Sequence, residues 1–100
     1  MQNDLNRAMV EFNNSASKLF AMLFQKFENT IASVNRGQHD NTFQQLQGKF
    51  IYTFKMQMEN MAQQLIEKNS SINEVDRLKK KLSGAIKDYL DEFLRKAKSL

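Results

Sequence analysis

The chain has 100 residues with no cysteine, no proline and three glycines, and its formal charge is +4, from 15 Lys and Arg against 11 Asp and Glu. That length holds one domain at most, and the missing cysteine excludes a disulfide framework, a thiolate metal site and a cysteine nucleophile. The charge is milder than the dense one-signed patch of most nucleic-acid binders.

Long helices suit this composition, and nothing in it suggests a sheet. The first predicted helix covers about 4–35. Its large apolar residues fall at Leu5, Met9, Phe12, Ala16, Leu19, Leu23, Phe27, Ile31 and Val34, with Phe20 and Phe24 widening the same face. Steps of three and four return side chains to one side of an α-helix, where a strand would alternate. Projected at 100° per residue the set spans an arc of roughly 160°, too wide for one partner helix to cover. Asn3 or Asp4 suits the N-terminal cap, and Gly37 suits the left-handed position just past the helix end. About thirty residues make a helix of roughly 45 Å.

The second helix is predicted from Asp40 or Asn41 to about Lys68. Phe43, Leu46, Phe50, Phe54, Met58, Met61 and Leu65 share one face, and Gln, Lys, Asn and Glu fill most of the other. Gly48 sits inside this helix, where it costs about 1 kcal/mol relative to alanine unless something needs the room. The spacing reads it as a point of close helix approach.

Asn69-Ser70-Ser71 ends that pattern. Ser71-Ile72-Asn73-Glu74 then matches a capping box, in which serine and glutamate satisfy each other's backbone amides, so the third helix is placed at 72–98. Its core face is Val75, Leu78, Leu82, Ala85, Ile86, Tyr89, Phe93, Ala97 and Leu100. Asp76 near its start and Arg95, Lys96 and Lys98 near its end suit the helix dipole. Asp91 with Arg95 and Glu92 with Lys96 are spaced for i, i+4 ion pairs. Short connections at about 36–40 and 69–71 make sequence neighbours antiparallel. The expected architecture is therefore all-α: a single domain over 1–100 with three long helices running up-down-up. Dimerisation, with hairpins from two chains sharing a core, is the other way to complete it.

Residues off the core stripes are the candidates for function. Tyr52 and Met56, one turn apart on the second helix, and Met22 and Leu94 on the first and third are the candidate partner interface. Val10 is displaced in the same way. Arg77-Leu78-Lys79-Lys80-Lys81 is the one concentrated charge run. With Lys87, Arg95 and Lys98, the outward cations Arg77, Lys80 and Lys81 form the candidate anion or nucleic-acid contact, although Asp88 and Asp91 interleave with them as on an ordinary salt-bridged surface. Lys79 flanks the core stripe.

Catalysis finds no constellation. His39 is the sole histidine and sits in a loop beside Asp40, without a second ligand or a serine context. The core positions are apolar, and the glycines at 37, 48 and 84 are isolated, so neither a carboxylate-bound metal nor a phosphate cradle is expected. No cofactor is implied. The eight phenylalanines and six methionines fall at helical spacing, which assigns them to a core before a ligand cavity.

In length and helix-loop-helix opening the chain resembles the small secreted partners of specialised bacterial secretion systems. Their Trp-x-Gly turn is missing, and Asn35-Arg36-Gly37 stands at that place. A likeness to spectrin-type three-helix repeats is one of architecture. Neither likeness carries a function.

The leading expectation is a non-enzymatic bundle acting in protein–protein interaction or assembly, with itself or another protein. A nucleic-acid-associated protein using the basic third helix is the alternative, as is a small secreted or membrane-acting helical protein. The amino terminus lacks the layout of a signal peptide and no apolar run reaches the length of a membrane span. A soluble, unprocessed cytoplasmic protein is expected, with secretion without a signal peptide left open.

Overall fold

The computed structural model describes residues 2–34, 41–69 and 75–99. Three helices follow in order, α1 (Gln2–Val34), α2 (Asn41–Lys68) and α3 (Val75–Lys98), with no strand among the described residues. Each packs against the other two, and together they form a rod of 50 × 19 × 18 Å. The 33 residues of α1 set the long dimension, because a rise of about 1.5 Å per residue gives roughly 50 Å.

Facing residues fix the directions. Phe12 and Ser15 of α1 lie beside Met61 and Leu65 of α2, whereas Leu23, further along α1, lies beside Lys49 and Phe50. The two helices are therefore antiparallel, and Lys68 reaches Glu11 across them at 3.7 Å. On the other side Asn6 and Met9 of α1 meet Lys81 and Ala85 of α3, and Phe20 meets Lys96. Advancing together, α1 and α3 run parallel, which completes the up-down-up bundle.

The helix bounds follow the sequence reading within the residue or two by which helix ends commonly vary, except at the start of α3. There the predicted start at 72 falls outside the described residues, which resume, already helical, at Val75. The capping box at 71–74, Gly37, His39, Asp40 and Leu100 lie outside the described residues, as do the side chains of Asn3, Asp4, Val34 and Asn41.

Phe12, Phe27, Phe54, Phe93, Met58, Leu78 and Leu82 are fully enclosed, and no polar or charged residue is buried among the described residues. Every phenylalanine joins one continuous aromatic cluster. Phe93 of α3 is its hub, with ring centroids 5.5 Å from Phe20, 5.2 Å from Phe24, 5.9 Å from Phe27 and 5.8 Å from Phe54. Phe27 extends it to Phe43 and Phe50, and Tyr89 links Phe54 to Phe12. Several of these contacts are edge-to-face, which sets the positive rim of one ring against the negative face of the next and adds about 0.5–1.5 kcal/mol per pair beyond area burial. Ala8, Ala16, Ala62 and Ala97 are also buried.

Gly48 departs from its sequence reading. It is exposed, and a Cβ built there would meet nothing within 4 Å. It stands about 120° around the helix from Phe54, so it faces away from the core and no helix approaches it.

Candidate interaction surface

Tyr52 and Met56 stand on either side of Phe54 in the chain. Two residues turn a helix by about 200°, so a register that buries Phe54 completely drives both neighbours outward. Tyr52 is 63% exposed and Met56 40%. One turn apart, they form a short apolar strip. Lys49 and Glu59 continue it on either side, and neither has an ion-pair partner among the described residues. Of the other two candidates, Met22 is 46% exposed on α1, while Leu94 on α3 is half-buried. Val10, also on α1, is exposed.

The basic candidates Arg77, Lys80, Lys81, Lys87, Arg95 and Lys98 are all exposed on α3. This helix carries eight basic and four acidic residues, an excess equal to the formal charge of the whole chain. Local pairing offsets part of it. Lys87 Nζ lies 3.3 Å from the Asp91 carboxylate, and Arg95 pairs with Glu92.

Those pairs correct the spacing argument, which joined Asp91 to Arg95 and Glu92 to Lys96. Lys96 turns instead towards α1, where its Nζ lies 5.4 Å from the Phe20 ring centre and 5.8 Å from that of Phe24. Phe20 and Phe24 stack on each other at 6.0 Å and are each half-buried. An ammonium over such faces gains about 0.5–1 kcal/mol at an exposed site, more than the few tenths offered by an i, i+4 pair. Position within α3 could have signalled this, since Lys96 is three residues from Phe93 and therefore close to the core stripe.

Tyr89 was legible as core but not as a polar link. Its ring packs against Phe12 and Phe54. Its hydroxyl donates to Asn13, with the side-chain oxygen at 3.1 Å and the backbone carbonyl at 3.4 Å, and lies 3.3 Å from the Ser17 hydroxyl. A phenolic group with one proton thus ties α3 to α1 at the bundle's rim.

An open trough of about 660 Å³ lies between α1 and α3. Met9, Ala85 and Tyr89 line its apolar part, and Asn6, Asn13, Lys81, Asp88 and Glu92 its polar part. No group of three or more His, Cys, Asp or Glu placed to hold a metal ion occurs among the described residues. None of the described helices is long and apolar enough to cross a membrane. The chain matches no family model, no curated protein and no solved structure.

Proposed function

We propose that this chain is a non-enzymatic helical-bundle protein that works in protein–protein interaction or assembly, associating with itself or docking a partner through its outer helix faces. The observation that carries this reading is the placement of Tyr52 and Met56 on the outside of a helix whose phenylalanines are all taken into the core. An aromatic and a methionine held out in water on a rigid helix are residue types enriched at protein interfaces.

The test is light scattering over a dilution series, with a pull-down on the same surface. Wild type is expected to gain mass with concentration or to retain a partner, and Tyr52→Glu with Met56→Glu to lose whichever is seen. A wild-type chain that stays monomeric at high concentration and retains nothing beyond its charged variant would refute the reading.

The charge of α3 favours a second reading, contact with nucleic acid through Arg77, Lys80, Lys81, Lys87, Arg95 and Lys98. Binding to duplex or single-stranded DNA would then fall steeply with salt, because each phosphate contact releases counterions. No binding at low salt would dispose of it.

A further inference from the structure

The outer face of α2 has a pattern that the bundle itself does not use. Gln45, Lys49, Tyr52, Met56, Glu59 and Gln63 follow at alternating steps of four and three, and all six are exposed. Steps averaging 3.5 residues keep them in a stripe about 80° wide, the dimension of a two-helix seam rather than of a face covered by two neighbours. We infer that this seam pairs with the same seam of a second copy, antiparallel, about a two-fold axis level with Phe54. The inference rests on the assembly reading above and names its partner.

Charge selects the direction and register. With the axis at Phe54, Tyr52 lies opposite the partner's Met56, Lys49 opposite the partner's Glu59, and Gln45 opposite the partner's Gln63. By symmetry each layer forms twice, as an isologous contact requires. Parallel pairing in register would set Lys49 on the partner's Lys49 and Glu59 on the partner's Glu59, and like charges placed together are unfavourable. Sliding the antiparallel pair by a heptad would set Tyr52 on the partner's Lys49 and leave Glu59 without a cation. Only the register centred on Phe54 sets apolar on apolar and opposite charges on each other, with the neutral Gln45 and Gln63 meeting in the outermost layer. The same axis brings Lys55 beside its own mate, so the pairing is a weak, reversible one, with a small apolar centre of two side chains per copy.

Sedimentation equilibrium of the full chain over a concentration series tests this, with circular dichroism to confirm folding. Wild type is expected to move from the 11.7 kDa monomer towards a dimer and no further. Lys49→Glu or Glu59→Lys alone should raise the dissociation constant about tenfold, since two attractive contacts per dimer become repulsive. Both substitutions in one chain restore opposite charges in each layer, and should return the constant to within about threefold of wild type. Lys55→Gln should tighten the dimer, most at low salt. A wild-type monomer at all concentrations, a species larger than a dimer, or a charge exchange that does not rescue would each overturn the pairing. Association that is lost in Tyr52→Glu with Met56→Glu yet ignores the charge exchange would overturn the pairing while leaving the assembly reading in place.

Discussion

Inward, α2 presents Phe54 and Met58, both fully enclosed, with Phe43, Ala62 and Leu65 along the same line. Outward it presents Tyr52 and Met56, with Lys49 and Glu59 beyond them. The two faces hold the same kinds of apolar side chain, an aromatic and a methionine four residues apart, and differ only in angular position. Hydrophobicity therefore does not separate a residue that folds the chain from one that contacts a partner. Phase around the helix does. Substitutions on the inner face should act on unfolding whatever the concentration, and those on the outer face on association while unfolding of the monomer is unchanged.

The largest expected effect is inward. Phe54→Ala removes a ring that packs against Phe20, Phe93 and Tyr89, and denaturant unfolding should show a loss of about 3–5 kcal/mol. A loss below 1 kcal/mol would mean that Phe54 is not the inward pole and that the contrast between faces fails.

Tyr89→Phe sharpens the contrast at the rim, where a core ring carries a polar tip. It keeps the packing on Phe12 and removes the hydroxyl's link to Asn13, so unfolding should register a loss of about 0.5–1.5 kcal/mol. Gly48→Ala is expected to act in the opposite sense. With open space at its Cβ position, alanine should stabilise the monomer by about 0.5–1 kcal/mol through helix propensity alone, and a destabilised variant would reveal a contact that the fold does not explain. The smallest effect belongs to the outer face of α3. Lys87→Ala removes an exposed i, i+4 pair with Asp91 and should change unfolding by a few tenths of a kcal/mol at most, less in high salt.

The bundle was legible because three apolar stripes recur at helical spacing and two short breaks force the helices to reverse. The stripes named nearly all the enclosed side chains. They missed Ala8 and Ala62, whose small size gives little periodic signal, and Ile51, Ile66 and Leu90, which flank the stripes and pack only because each helix meets two neighbours. Gly48 was misread because a glycine inside a helix gives the same letter whether a backbone approaches it or nothing does. Partners of charged side chains were the least legible. Spacing offered Glu92 and Asp91 as partners for Lys96 and Arg95, whereas the rings of Phe20 and Phe24 across the α1–α3 groove compete for Lys96, and sequence separation conceals that competition. The outer strip at Tyr52 and Met56 was visible as a displaced pair, and the structure adds their exposure and, on either side, Lys49 and Glu59 without an ion-pair partner among the described residues.

The most direct test of the division between faces measures unfolding and mass on one sample of Tyr52→Glu with Met56→Glu. Its monomer should unfold within about 0.5 kcal/mol of wild type, as exposed positions allow, while its mass stays at 11.7 kDa at concentrations where the wild-type mass rises. Equal masses for the two proteins across the series together with equal retention of partners, or a variant that fails to fold, would contradict the account.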